Sequence, residues 1–195
     1  MEDILRLAEE NQEKARLVIA GSGVIECWEE IGAEVNLIGS LKMGLLMKHR
    51  DIDFHIYTPE LKLADSFRAI ARLADKPRIK RIEYANLLDE EDSCLEWHAW
   101  YEDYDGQLWQ IDMMHIVKGS TYDGYFEDMA ARIVAALTPE LKETILRLKW
   151  QTPDDVKIPG IEYYMAVMRD NVRTYDEFIK WRQTHPQNGI VTWRP

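Results

Sequence analysis

Asp51 and Asp53 are separated by a single residue in a segment that alternates polar and apolar side chains as far as Tyr57. If this segment is a β-strand, the two carboxylates share one of its faces, because side chains alternate between the faces of a strand. The opposite face is predicted to enter the core and carries Ile52, Phe54 and Ile56. Two adjacent carboxylates oppose each other's ionisation unless a cation neutralises them, and a hard divalent ion such as Mg²⁺ suits that role.

A phosphate-binding turn is predicted just before this strand. Gly39 and Ser40 follow an apolar run, Val35 to Ile38, that is typical of the end of a strand. Glycine lets a ligand approach the main chain closely, and Ser40 is placed to cap a short helix that begins at Leu41. Because the amides of a helix start attract phosphate, the sequence predicts a phosphate cradle next to the carboxylate pair.

A third carboxylate lies in a predicted β-hairpin. The segments Cys94 to Glu102 and Leu108 to Val117 are rich in β-preferring residues, and they flank the turn sequence Asp105-Gly106. Asp112 stands in the middle of the second strand between apolar neighbours. A carboxylate in such surroundings must be paired, hydrogen bonded or bound to a metal.

Together these features are similar to the signature of the polymerase-beta-like nucleotidyltransferase superfamily, a Gly-Ser turn followed by a hydrophobic-flanked pair of carboxylates. The matching residues are Gly39-Ser40, then Asp51-Ile52-Asp53-Phe54, with Ile111-Asp112-Met113 as the third carboxylate from a later strand. The resemblance covers residues 33 to 117. In size and acidity the chain also looks like members that modify antibiotics such as lincosamides or aminoglycosides.

The resemblance implies an α/β (α+β) fold, a mixed sheet flanked by helices with a helical extension at the C-terminus. On this basis residues 1–120 are predicted to form the nucleotidyltransferase core and residues 121–195 the C-terminal helical region. Capping residues predict two of the C-terminal helices. One is expected to start at Thr138-Pro139, and Thr174 with Glu177 is expected to cap another.

The resemblance further implies transfer of a nucleotidyl group, AMP from ATP in the expected case, to a hydroxyl group with release of pyrophosphate. Asp51 and Asp53 would carry two Mg²⁺ ions, while Asp112 would complete the metal site and take the proton from the acceptor. The amides of Gly39 and Ser40 would bind the β- and γ-phosphates. Basic residues expected to help hold the triphosphate are Lys42, Lys48, Arg50 and Lys149.

The charge composition indicates which kinds of binding partner to expect. The chain has 24 basic and 35 acidic residues and a net charge of −11, which argues against nucleic-acid binding and favours a small hydroxylated acceptor. Cys27 and Cys94 have no metal-ligand or disulfide spacing. No secretory signal and no apolar run long enough for a membrane span is visible, so a cytoplasmic protein is predicted.

Other interpretations stay open at this point. An Asp-x-Asp pair by itself is common at strand ends as a structural or surface feature, and Asp112 alone could be a buried hydrogen-bonding partner. The same fold can host a catalytically silent protein that binds nucleotide or acts as an antitoxin-like partner. A transferase directed at nucleic acid is disfavoured by the charge, and its binding would weaken steeply with salt.

Overall fold

The computed structural model describes residues 3–91, 93–187 and 189–195. The helices are α1 Ile4–Ser22, α2 Val24–Glu29, α3 Gly39–Lys42, α4 Leu63–Ala74, α5 Tyr125–Ala136, α6 Pro139–Gln151, α7 Gly160–Tyr164 and α8 Tyr175–Thr184. The strands are β1 Glu34–Leu37, β2 Asp51–Thr58, β3 Ile79–Leu87, β4 Cys94–Glu102 and β5 Leu108–Val117. A short π-helix, Met165–Arg169, continues α7.

The five strands form one mixed sheet in the order β1-β2-β5-β4-β3. β2 and β5 run parallel, while the other neighbouring pairs are antiparallel. The hairpin predicted from Asp105-Gly106 is confirmed, since β4 and β5 have the predicted bounds. The predicted mixed sheet flanked by helices is therefore confirmed. Its parallel pair sets the strand of Asp51 and Asp53 beside the strand of Asp112.

One face of the sheet, which we call the covered face, packs into an apolar core with residues of α1, α2 and α4. The apolar β2 residues on this face are at most 1% exposed, as the alternation predicted: Ile52, Phe54 and Ile56. Two indole N–H groups in this core also have partners. Trp28 donates to Met113 Sδ at 3.2 Å, and Trp97 donates to Ser66 Oγ at 2.9 Å. Both of these indole groups are thus satisfied within the chain.

The C-terminal helices lie over the other face and form a second apolar core. α6 begins as predicted, because the Thr138 hydroxyl accepts from the Leu141 amide at 3.2 Å and Pro139 occupies the first turn. Thr174 and Glu177 form the predicted capping box of α8. Local capping chemistry therefore fixes where these helices start.

The division at residue 120 stays a prediction. Ala8 and Met43, which precede it in the chain, pack with the C-terminal helices in one apolar cluster. Cys27 and Cys94 are both buried. In the part of the chain that the structure describes, no helix combines the length and the apolar character that crossing a bilayer requires. The sheet and the C-terminal helices enclose the candidate site between them.

Candidate active site

The parallel pairing of β2 and β5 sets two of the predicted carboxylates next to each other. Asp53 is the register partner of Asp112, and Asp51 is the partner of Gln110. Paired residues on neighbouring strands lie about 5 Å apart and project from the same face of the sheet. Asp51 shares that face because it is two residues from Asp53. The three predicted aspartates are therefore brought together.

These aspartates lie in a cavity of about 680 Å³ between the sheet and the C-terminal helices. The turn at Gly39-Ser40 forms one wall. The opposite wall comes from α5, α6, α7 and the loop before α7, and its residues include Phe126, Met129, Lys149, Lys157, Tyr163 and Tyr164. A concave site with convergent polar groups and apolar walls is the usual form of a small-ligand pocket.

Gly39 brings the main chain against the Asp53 carboxylate. Its φ of +67° lies in the left-handed region, and a Cβ at this position would overlap that carboxylate. The predicted role of Ser40 as a helix cap is wrong, since α3 begins at Gly39 and its N-cap, Ile38, makes no side-chain cap hydrogen bond. The turn at Gly39 starts the helix earlier than predicted, so Ser40 lies in the first turn and lines the cavity.

The carboxylate pair is electrostatically strained. Burial on the cavity floor raises the pKa of Asp53 to about 8, the negative charges of Asp51 and Asp112 add to this effect, and Lys149 opposes it. Asp51 Oδ1 is buried and has no hydrogen-bond partner among the described residues. A cation between Asp51 and Asp53 would offset the repulsion between their charges and give Asp51 Oδ1 a partner.

Asp112 is held by two neighbours that sequence analysis did not identify. His98 Nδ1 lies 2.5 Å from Asp112 Oδ1, and Gln110 Nε2 donates to the same oxygen at 2.8 Å. The Asp112 hydrogen bond raises the pKa of His98, whose Nε2 lies 3.3 Å from Glu96 Oε1. The register of the predicted hairpin could have identified His98, because His98 is the antiparallel partner of Asp112.

Lys149 is a buried cation in the cavity wall, with 8% of its surface exposed. Its Nζ donates to the Leu45 carbonyl at 3.0 Å and to the Tyr164 hydroxyl at 3.2 Å. Desolvation lowers the pKa of Lys149 to about 8, against the opposing influence of Asp51 and Asp53. From the sequence, Lys149 was a candidate only because of its position after the motif. In the structure it is close enough to Asp51 and Asp53 for their charges to affect its pKa.

The remaining basic residues separate into different environments. Arg50 lines the cavity. Lys48 lines a neighbouring groove and pairs with Asp154, whereas Lys42 is exposed in the last turn of α3 and lines neither space. Lys157 also lines the cavity. Lys157 could not be identified from the sequence, because a single lysine in a loop carries no periodic or motif signal.

The donor set fits Mg²⁺ in its chemistry, because this ion prefers carboxylate oxygens and Asp51 Oδ1 is buried without a partner. Within residues 3–91, 93–187 and 189–195, no three His, Cys, Asp or Glu side chains already stand in a metal-holding group. Asp112 Oδ1 is directed instead towards His98 and Gln110. Asp51 and Asp53 are thus the centre of a candidate cation site, and Asp112 lies at its edge.

No protein-family model and no curated protein matches this sequence. Solved structures do match. Cid1 poly(U) polymerase with MgGTP bound gives a TM-score of 0.57 at 15% identity, over 81% of this chain and 49% of that chain. The poly(A) polymerase complex GLD-2–GLD-3 gives 0.54 at 9% identity, over 95% and 64%. A cytoplasmic RNA terminal U-transferase gives 0.52 at 15% identity, over 82% and 45%.

This chain spans about half the length of the Cid1 chain that it matches. Structures of Cid1 with MgATP and with the UTP analogue UMPNPP match as well. Identities this low carry the fold alone, so the similarity to the antibiotic-modifying branch stays a prediction. The mixed sheet and its flanking helices have the polymerase-beta-like nucleotidyltransferase fold.

Proposed function

We propose that this protein is a Mg²⁺-dependent nucleotidyltransferase that moves a nucleotidyl group, AMP in the expected case, from a nucleoside triphosphate to a hydroxyl group. The observation that carries the proposal is the meeting of Asp51, Asp53 and Asp112 on one face of the sheet, inside a cavity. The solved structures of the same fold include complexes with MgGTP, MgATP and a UTP analogue.

Asp51 and Asp53 would hold the metal ions, and Asp112 would complete the site. Among the described residues, the hydrogen bonds from His98 and Gln110 to the Asp112 carboxylate both reach Oδ1, which leaves Oδ2 to bind a metal ion. When bound, two Mg²⁺ ions would lower the pKa of the acceptor hydroxyl and offset the charge on the departing pyrophosphate. The residues themselves supply the oxygen donors and the low-dielectric cavity that such a site requires.

Asp112 is also the group proposed to take the proton from the acceptor hydroxyl. The acceptor oxygen bonds to the α-phosphorus, the bond from that phosphorus to its bridging oxygen breaks, and the electron pair leaves with pyrophosphate. The hydrogen bond from His98 orients the Asp112 carboxylate, and Glu96 in turn holds the imidazole. This chain of contacts keeps the proton acceptor in one position as the reaction proceeds.

The triphosphate is expected along the Gly39-Ser40 turn. Gly39 holds the main chain of this turn directly against the Asp53 carboxylate, so a triphosphate bound along the turn would lie next to the proposed metal site. Lys149, Arg50 and Lys157 supply positive charge within the same cavity. Lys42 and Lys48 lie outside the cavity, so the proposed triphosphate site does not include them.

Two acceptor classes compete for the other substrate position. The net charge of −11 favours a small hydroxylated molecule. The solved relatives are named as a poly(U) polymerase and an RNA terminal U-transferase, so an RNA acceptor is the second candidate. The groove described below bears on this choice.

Pyrophosphate release tests the proposal. The protein is incubated with Mg²⁺ and each nucleoside triphosphate in turn, together with small hydroxylated compounds or short RNA. We expect release that Asp53→Asn abolishes, whereas Asp75→Asn, at an exposed carboxylate after α4, leaves the rate unchanged. Equal release by the Asp53→Asn variant and the unaltered protein would refute the metal assignment.

A catalytically silent protein would give a different result. It would bind a nucleoside triphosphate with Mg²⁺ in calorimetry and release no pyrophosphate with any acceptor. That outcome would replace transferase activity by nucleotide binding as the role of this cavity.

A further inference from the structure

A second groove of about 670 Å³ opens beside the carboxylate cavity. His49, Arg50 and Gln110 line both spaces. Gln110 lies two residues before Asp112 on the same face of β5, roughly 7 Å along the strand, and donates to its carboxylate. A molecule in this groove would therefore reach the proposed proton acceptor from the β4 side of the sheet.

Two tryptophans line this groove and do not line the carboxylate cavity. Trp100 is the β4 partner of Gln110, and Trp150 lies in the last turn of α6. Each ring has a cation over one of its faces. The Arg81 guanidinium carbon is 4.4 Å from the Trp100 ring centroid, and Lys48 Nζ is 5.5 Å from that of Trp150. Partly exposed indoles next to cations form stacking platforms for planar rings.

The groove is positively charged although the chain as a whole has a net charge of −11. Lys48 and Arg50 line it, and Asp154 is the one carboxylate among its described lining residues. Asp154 Oδ1 lies 2.7 Å from Lys48 Nζ, and its side chain is 88% exposed. The hydrogen bond from Lys48 and its charge hold the pKa of Asp154 below the ordinary value. So exposed an ion pair is weak, and an incoming anion can replace this carboxylate.

We infer that this groove is the acceptor site and that it binds a nucleobase joined to a phosphate. The nucleobase stacks on Trp100 and Trp150, and the phosphate replaces Asp154 on Lys48. The reaction at this site rests on the proposed function, whereas the binding itself rests on the groove. A free nucleotide and the end of a single-stranded RNA share this chemistry, and the experiment distinguishes them.

Binding is measured without Mg²⁺ or nucleoside triphosphate, so that it is independent of catalysis. The probes are adenosine, AMP and a single-stranded RNA of six nucleotides. AMP and the RNA are expected to bind, and adenosine more weakly because it lacks the phosphate. Trp150→Leu should weaken binding of AMP about tenfold, whereas Trp150→Phe should keep most of the affinity because an aromatic face remains.

Asp154→Asn provides a gain of binding that loss of the fold cannot imitate. It frees Lys48 and should tighten AMP binding about threefold. Asp155→Asn is the matched control, because it makes the same change in net charge at an exposed neighbour that does not line the groove. Equal tightening by both variants would attribute the effect to net charge and overturn the inference.

The remaining outcomes also decide. The inference is overturned if neither AMP nor RNA binds, or if AMP binds the Trp150→Leu and Asp154→Asn variants as it binds the unaltered protein. If the inference is supported, the relative affinities identify the ligand. RNA that binds more than tenfold tighter than AMP, with a steep salt dependence, indicates the end of an RNA strand, and equal affinities indicate a free nucleotide.

The proposed function fails separately. If AMP or RNA binds but no pyrophosphate is released, the proposed transferase function is refuted and the proposed binding site is retained. If pyrophosphate is released with an unrelated hydroxyl compound as acceptor, and neither AMP nor RNA binds, the proposed acceptor site is refuted and the proposed transferase function is retained.

Discussion

The two faces of β2 differ in what completes them. On the covered face, Ile52 and Phe54 are at most 1% exposed within an apolar core that the chain itself supplies. On the cavity face, Asp51 Oδ1 is buried without a partner among the described residues, and burial raises the pKa of Asp53. The apolar side chains of the covered face are packed within the folded chain, whereas the carboxylates on the other face need a partner from outside. One face of β2 thus stabilises the fold through apolar packing, and the other face holds the candidate catalytic carboxylates.

Only the first part of the cavity face is left open. Further along β2, His55 is 4% exposed and lies edge-on to Phe126, with ring centroids 5.2 Å apart. The Tyr57 hydroxyl donates to Glu127 Oε1 at 2.9 Å. α5 therefore closes the face beyond Asp53 and confines the opening to the carboxylates.

Asp53→Asn should have the largest effect and should separate the two faces most clearly. We expect nucleotidyl transfer to fall by at least about a thousandfold, or about 4 kcal/mol, because a metal ligand is lost. In Mg²⁺-free buffer the Tm should instead rise by about 2–5 °C, since a carboxyl whose ionised form is opposed by burial and by Asp51 and Asp112 is replaced by a neutral amide. Pyrophosphate release and thermal unfolding in EDTA measure both. A lower Tm with retained activity would mean that Asp53 serves the fold.

Phe54→Ala tests the covered face, where the next largest effect is expected. Phe54 is 1% exposed, so its truncation should lower the free energy of unfolding by about 3–5 kcal/mol. Urea denaturation measures this change, and activity per folded molecule should be little altered. Leu17→Ala, at a side chain that is 69% exposed, should change stability by less than about 0.5 kcal/mol. A small effect at Phe54 would remove the distinction between the faces.

His115 on the covered face should make stability depend on pH. It is fully buried, and desolvation lowers its pKa from 6.5 to about 4. Below pH 6.5 the unfolded chain binds a proton there that the folded chain does not bind until about pH 4. The free energy of unfolding should therefore fall by about 3 kcal/mol between these two values as the pH is lowered.

Urea denaturation of the unaltered protein and of His115→Asn at pH 7, 5 and 4 isolates this contribution. The variant should lose less stability across the series, since other titrating groups are common to both proteins. Identical pH dependence would show that His115 is protonated inside the fold.

Lys149→Met tests the wall of the cavity and should have the smallest effect. The substitution keeps a long apolar stem and removes the charge proposed to contact the triphosphate, so the KM for the nucleoside triphosphate should rise about tenfold. Steady-state kinetics separate this change from kcat. Lys180→Met, at an exposed lysine of α8, is the control and should leave KM unchanged. A fall in kcat alone would place Lys149 in the transition state rather than in substrate binding.

Much of the fold was predictable because its signals are local. Alternation over Asp51 to Tyr57 identified the strand and its buried face, and Asp105-Gly106 identified the hairpin. Thr138 and Thr174 marked helix starts through hydrogen bonds to their own first turns. Ser40 failed as a cap because the turn at Gly39 fits against Asp53, a residue from another element.

The sequence by itself determined which residues carry carboxylates, turns and caps, since these depend on steric and hydrogen-bonding preferences of neighbours in the chain. The tertiary structure decided which of them meet. Only the parallel pairing of β2 and β5 sets Asp112 beside Asp53, and only the packing of α6 buries Lys149 within reach of their charge. Strand register and burial depend on contacts between distant segments, so no local pattern specifies them.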